Sequence, residues 1–265
     1  SLFFNTIYEP NNTSKINKMD TALYKLAKQS GFNTHYITTQ KNAGGLTYSF
    51  SLSDIDTWKE NEHLAHYEGE YDNRLLLELE SMELDYDKPQ FITLHMRSTH
   101  VPYVDNYPKS QEVYPVEGMP YGKYMTNSYD NSVLYTEKVI TDIYKFFKDT
   151  GKATYIYFVP DHGELLGQNG RYGHNAVDLD MAKVPFLFYG PGLKEGEVER
   201  LKSELGCLSN HYLISLQVAS LLGYNISNPN EVPGQYYLNG TDVFGEAGYM
   251  KYDIGETRGA VCSQI

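Results

Sequence analysis

The chain has only two cysteines, Cys207 and Cys262, and no Cys-x-x-Cys pair. A cysteine-built zinc site is therefore excluded, while one disulfide between the two stays open and the count fits either redox compartment. No run of 18 or more apolar residues occurs, so the sequence contains no helical membrane span, and no signal peptide opens it. Lys and Arg are few, 22 against 34 Asp and Glu for a formal net charge of -12, and they form no cluster. A nucleic-acid partner is excluded on that ground. The acidity itself is compatible with a cation site or with an ordinary solvated surface. Tryptophan occurs once, no internal repeat is visible, and no low-complexity linker divides the 265 residues, which are read as one domain, 1–265.

What is abundant is tyrosine, 25 residues against 11 Phe. Such a surface suits sugars or a membrane interface, and it also arises from base composition alone. The sequence begins Ser-Leu-Phe-Phe, with no Met and already inside an apolar run, so it reads as a piece of a longer protein.

Apolar periodicity alternates between two periods. Helical spacing is found at 19–31, with Asp20 as N-cap and Gly31 as stop, and again at 71–84, 127–151 and 210–224. Short apolar runs at 32–38, 89–96, 153–159 and 184–192 read as strands. The run 153–159 is nearly all apolar, as expected of a central parallel strand covered on both faces. A hairpin through Asn239-Gly240 is expected in the tail. The segments 38–62 and 101–126 are the least ordered candidates. The pattern predicts an α/β fold: a mostly parallel central sheet with helices on both faces, its ligand site beyond the carboxyl ends of the strands.

Three loops at those ends carry candidate chemistry. Asp161 and His162 follow the strand 153–159 after Pro160, and they offer a hard oxygen and an imidazole nitrogen, a mixture suited to zinc and less well to manganese. Gly163 allows a sharp turn and a close backbone approach. His100 follows the strand 89–96 through Ser98 and Thr99. His174 ends a glycine-rich stretch expected to fold back toward Asp161, where it could meet an anionic oxygen or a second ion. Each of these, taken singly, also reads as an ordinary loop residue. Arg97 is a further phosphate-binding candidate. His95 lies inside a strand pattern and reads as a core histidine; His35, His63, His66 and His211 read as structural or solvated.

Taken together, "HMRSTHVPY", "SYDNSVLYTEKVI" and "YFVPDHGELLGQNGRYGHN" resemble, in that order, the soluble catalytic domain of bacterial phosphoethanolamine transferases, in the sulfatase branch of the alkaline phosphatase superfamily. "KVPFLFYGPG" and "LSNHYLISLQVASLLGY" resemble the family's later strand and helix, and the likeness covers about residues 1–224. The resemblance implies a transferase of the periplasm, anchored in the inner membrane through a preceding region. It implies that phosphoethanolamine passes from phosphatidylethanolamine to lipid A or an envelope glycan, a lipopolysaccharide modification, through a covalent intermediate on a zinc-bound threonine. By motif match Asp161 and His162 would be zinc ligands, and His100 and His174 would bind the phosphoryl group or a second zinc. Gln40, in "YITTQ", is a loose match to a substrate-binding position.

There are departures. The family's Gly-Ser-His-Gly is Ser98-Thr99-His100-Val101 here, which keeps the histidine and loses backbone freedom. The threonine nucleophile and the remaining zinc carboxylate would both precede Ser1, so the 265 residues on their own are expected to bind zinc weakly or through substitute ligands, and not to turn over. The alternatives are a sulfatase, a phosphoglycerol transferase, or a non-catalytic envelope domain that binds a glycan or protein partner.

Overall fold

The structure is a computed structural model, and it describes residues 22–40, 51–69, 71–174, 178–206, 209–227, 235–241 and 247–253. Its first sheet has three parallel strands in the order β2-β1-β3, with β1 Asn33–Thr38, β2 Thr57–Lys59 and β3 Gln90–His95. Alternation along the strands sorts their side chains onto two faces. Tyr36 and Phe91 pack with Tyr24 of helix α1 (Leu23–Gln29), beside Ala219 and Leu222 at the far end of the chain. On the other face Ile37, Leu94 and Met96 meet Leu75 of α2 (Asn73–Ser81) and Tyr135, Val139 and Ile143 of α3 (Tyr121–Asp149). Helices thus cover both faces of a parallel sheet, as the alternating pattern predicts.

Helix α1 stops where Gly31 takes a φ of +83°. The Phe32 N–H then reaches the Ala27 carbonyl and the Gly31 N–H reaches that of Lys28, the paired bonds of a Schellman ending. The start differs from expectation: Ala22 is the N-cap, and Asp20 lies outside the described residues.

The expected order is corrected in four places. Strand β4 (Ile156–Phe158) pairs antiparallel with β7 (Leu187–Tyr189), and its residues are half-buried rather than covered on both faces. An apolar run reports burial; direction is set by the connection that returns the chain, which the run does not encode. Helix α3 begins at Tyr121, six residues before the expected start at 127, because Pro120 marks the boundary and the first turns face solvent with Tyr121 and Lys123.

The segment 101–126 is expected to be poorly ordered, but its last six residues belong to α3 and the rest is laced to that helix. Asn131 accepts from the Val113 and Tyr114 N–H groups (2.9 and 2.8 Å) and donates to the Tyr114 carbonyl, and Asn127 donates to Pro115. The polar positions of α3 thus satisfy the backbone of a loop lacking ladder partners. Finally, Asn239-Gly240 lie within β8 (Gln235–Thr241), paired antiparallel with β9 (Ala247–Asp253), and not at a turn between strands.

Between β4 and β7 the chain makes the excursion that carries the site. A small hairpin joins β5 (Leu165–Leu166) to β6 (Tyr172–Gly173), followed by α4 (Leu179–Ala182). After β7, which runs into Gly190-Pro191-Gly192, come α5 (Glu197–Leu205) and α6 (His211–Leu221). Asn210 caps α6 by accepting from the Leu213 N–H at 2.9 Å. Tyr157 of β4 donates to Gln217, whose amide donates to Leu201, so β4, α6 and α5 are tied in series. Cys207 and Cys262 lie outside the described residues.

Candidate active site

The carboxyl ends of β3 and β4 and the end of β6 bring three imidazoles together. The rings of His162 and His174 are stacked with centroids 4.4 Å apart, and His100 lies 5.3 Å from His174. Asp161, highly exposed, places Oδ2 3.7 Å from His162 Nε2. All four residues singled out at separate strand ends therefore occupy one place.

Each imidazole is turned the same way. The Nδ1 of His162 donates to the Gly163 carbonyl at 3.0 Å, that of His100 to the Val101 carbonyl at 2.6 Å, and that of His174 to Glu164 Oε1 at 2.7 Å. A histidine whose Nδ1–H is held by an acceptor presents Nε2 outward: as a lone pair it binds a metal, and once protonated it donates to a phosphoryl oxygen. Glu164 holds the His174 pKa above its ordinary value, more than offsetting the opposing effect of burial.

Local geometry explains why the glycines are where they are. Gly163 N–H donates to the Met181 carbonyl at 2.6 Å, and a Cβ at Gly163 would sit 3.1 Å from that same oxygen. The close approach expected of this glycine is thus made with the backbone of α4. In the β5–β6 hairpin Gly167 takes a φ of +112°. A turn of that kind returns the chain within eight residues, so that His174 comes back to Glu164.

Behind His100 a buried carboxylate sets the turn. Asp72, just before α2, accepts from the N–H groups of Arg97 (2.9 Å) and Ser98 (2.7 Å) and from the Thr39 hydroxyl. Ser98 takes a φ of +48°, a conformation disfavoured for a residue with a Cβ. Asn106 closes the loop from the other side by donating to the His100 carbonyl. Arg97 is placed here by its backbone. Gln40 donates its amide to the Met96 carbonyl at 3.1 Å, which ties the end of β1 to the end of β3.

The other histidines separate cleanly. His95 accepts or donates at Nδ1 with Tyr36 (2.6 Å) and Thr38 (3.1 Å), and burial lowers its pKa, as befits a core histidine. His35 pairs with Gln90, and His63 accepts from the Glu60 N–H. His211, read from sequence as structural or solvated, donates from Nε2 to the Pro160 carbonyl at 2.8 Å, one residue before Asp161. Glu164, Tyr103, Asp72, Asn106 and His211 were not among the sequence candidates. Glu164 had a signal in its position, three residues after Asp161 in the same turn; the others are recognisable by contact alone.

The donor set suits a metal ion. One donor atom each from His162, Glu164 and His174 lie within 4.8 Å of one another, and Asp161 adds an exposed oxygen. A mixed imidazole and carboxylate set of this kind is appropriate to zinc.

Comparison with known proteins bears on the family and the fold. The phosphoethanolamine transferase EptC of Escherichia coli O18:K1:H7 is 28% identical over 183 residues, 63% of this chain and 32% of its own length. The chain spans about a third of the length of that relative. Among solved structures, the soluble domain of lipooligosaccharide phosphoethanolamine transferase A from Neisseria meningitidis superposes with a TM-score of 0.66 at 19% identity, over 84% of this chain and 70% of that one. The C-terminal periplasmic domain of E. coli EptC in complex with Zn gives 0.62 at 21%, over 90% and 72%. At such identities the two structures establish the fold, which is the α/β arrangement expected. The resemblance drawn from the three sequence blocks is borne out. The family model named Sulfatase matches residues 2–215, and the chain belongs to that family.

Proposed function

We propose that the chain is the periplasmic catalytic domain, a single domain over 1–265, of an inner-membrane transferase. It would move phosphoethanolamine from phosphatidylethanolamine to lipid A or a related envelope glycan. The observation that carries this reading is the convergence of His100, His162 and His174 with every Nδ1 tied back to an oxygen acceptor. The relatives named above, phosphoethanolamine transferases, support the donor group; the acceptor follows the lipooligosaccharide enzyme they include. No helix among the described residues is long and apolar enough to cross a membrane; in this proposal the membrane anchor and the threonine nucleophile are supplied by the full-length protein.

In this reading Asp161 and His162 hold one zinc ion, and His100 and His174 face the phosphoryl group. Zinc, when bound, lowers the pKa of a coordinated hydroxyl and neutralises phosphoryl charge. The chain's own residues do the rest. His162 is kept in its ligand tautomer by the Gly163 carbonyl. His174, held toward its protonated form by Glu164, donates to the phosphoryl oxygens on which charge accumulates. His100 supplies the second donor and stands ready to protonate the departing diacylglycerol oxygen. The threonine oxygen attacks phosphorus as the bond to diacylglycerol breaks, and an acceptor oxygen then displaces the threonine. Two in-line displacements retain configuration at phosphorus. Arg97 is a further phosphate ligand in this scheme, and Gln40 a weaker one.

The test is mass spectrometry of the full-length protein after incubation with labelled phosphatidylethanolamine or phosphatidylglycerol. A phosphoethanolamine adduct on a threonine is expected with the first lipid. A phosphoglycerol adduct with the second, and none with the first, would replace this reading by phosphoglycerol transfer.

A further inference from the structure

Glu164 is an enclosed group of the site, its side chain 4% exposed, and both of its oxygens are already engaged. Oε1 accepts from His174 Nδ1 at 2.7 Å, and Oε2 accepts from the Tyr103 hydroxyl at 2.8 Å. Tyr103 is itself buried and lies edge-on to Tyr129 of α3, ring centroids 5.2 Å apart. It stands three residues after His100, in a turn that Asn106 fastens to the His100 carbonyl. One carboxylate therefore joins the His100 loop, the Asp161-His162 turn and the end of β6.

We infer that Glu164 and Tyr103 are positioning residues: together they lock His174 with Nδ1 protonated and Nε2 directed at the substrate. The inference deepens the role given to His174 above and rests on that reading. A different role for Glu164, as a ligand to the metal, is suggested by the proximity of its oxygen to the nitrogens of His162 and His174. The bonds the structure shows are of the positioning kind: one oxygen accepts from a buried phenol and the other from an imidazole N–H. A buried carboxylate paired in this way with an imidazole N–H is the usual means of fixing a tautomer and ring plane. The phenol in turn fixes the carboxylate, because a Glu with one free oxygen could rotate and release the ring.

The tautomer can be read directly. In the 15N-labelled 265-residue chain, long-range proton–nitrogen spectra of the histidine rings are recorded at a pH where imidazole is neutral, with His174 assigned by its absence in His174→Gln. The expected spectrum has a pyrrole-type Nδ1 and a pyridine-type Nε2 at His174, the minor form of free imidazole. Glu164→Ala should return the ring to the Nε2–H form. Glu164→Gln, whose carbonyl can still accept, should keep Nδ1–H. Wild-type His174 with its proton on Nε2 overturns the inference even if the alanine variant does not fold, as does an unchanged Nδ1–H in a folded Glu164→Ala. These spectra need no turnover, so they stand apart from the functional reading. In the full-length enzyme Glu164→Ala should lower kcat about 10- to 100-fold, the range for partners of a site histidine, and leave KM within about twofold. A rise in KM with kcat intact would also overturn the inference, whereas absence of phosphoethanolamine transfer by the wild type would refute only the functional reading.

Discussion

His211 Nε2 donates to the carbonyl oxygen of Pro160 at 2.8 Å and so joins the first turn of α6 to the residue that precedes Asp161 and His162. This bond requires a proton on Nε2, and burial keeps the ring neutral by lowering its pKa. The turn bearing the proposed zinc ligands is thus held from behind by a helix 50 residues further along the chain, itself fixed through Gln217 to β4 and α5.

Replacing His211 with Ala leaves the half-buried Pro160 carbonyl without its donor. The expected cost is about 1 kcal/mol of stability, the low end for an unpaired acceptor. A larger fractional effect is expected on zinc affinity, about 10-fold, in the range for residues that orient metal ligands. His211→Gln, which retains a donor, should recover part of both. Urea denaturation and zinc titration on the two variants measure them, and equal zinc affinity in wild type and alanine variant would show that α6 does not organise the turn.

Acid should destabilise the fold through His95 and His211. Burial holds both pKa values below the ordinary imidazole value of about 6.5. As pH falls through that value the unfolded chain takes up protons that the folded chain does not, so stability falls, by up to about 1.4 kcal/mol per pH unit for each group. Above it these two groups contribute no slope. His174 acts in the opposite sense: its pKa is raised, so its contribution is complete below about 6.5 and disappears as pH rises through the folded value. Melting temperatures between about pH 5 and 8 should therefore flatten on the acid side in His95→Gln, and a wild-type slope that survives unchanged in that variant would contradict the assignment.

Asp72 should tolerate little change. Its two oxygens receive the Arg97 and Ser98 N–H groups and the Thr39 hydroxyl, and Asp72 itself is buried. In Asp72→Asn one oxygen becomes an NH2 facing an N–H donor, and the turn that holds Ser98 at a φ of +48° loses its counterweight. A loss of about 2–3 kcal/mol is expected, typical of a charge-assisted bond removed with its partner left buried. Thr39→Val removes one neutral donor and should cost about 1 kcal/mol. Chemical denaturation gives both values, and near-equal losses would argue that the charge at Asp72 is immaterial.

The parts of this site legible in the sequence are those on chain segments with regular periods. Strand ends could be placed because β3 and β4 fall within their apolar runs, and with them came His100, and Asp161 with His162. His174 was legible through the glycines that return its hairpin. The antiparallel pairing of β4 was not, since Ile156, Tyr157 and Phe158 would look the same in either direction. Short elements such as Thr57–Lys59 and Glu197–Leu205 gave too few residues for a period to emerge. Asp72, Tyr103 and His211 act across gaps of 25, 61 and 51 positions, through contacts that only the folded chain creates.

Metal retention and turnover should separate within the histidine cluster. His162 presents Nε2 toward Asp161 Oδ2 at 3.7 Å, so removing either residue removes a proposed ligand. His162→Ala and Asp161→Asn should each weaken zinc binding by more than the roughly 10- to 100-fold that outer partners cost. His100 is farther out, exposed, and in contact with the cluster through the His174 ring. Its replacement by Ala should leave zinc affinity within about threefold while transfer by the full-length protein falls on the order of 100- to 1,000-fold, the loss typical of a donor that acts on transition-state charge. Zinc titration followed by adduct formation in the same preparations distinguishes the two groups. If His100→Ala loses zinc as severely as His162→Ala, then His100 belongs to the metal centre and the phosphoryl group is served by His174 alone.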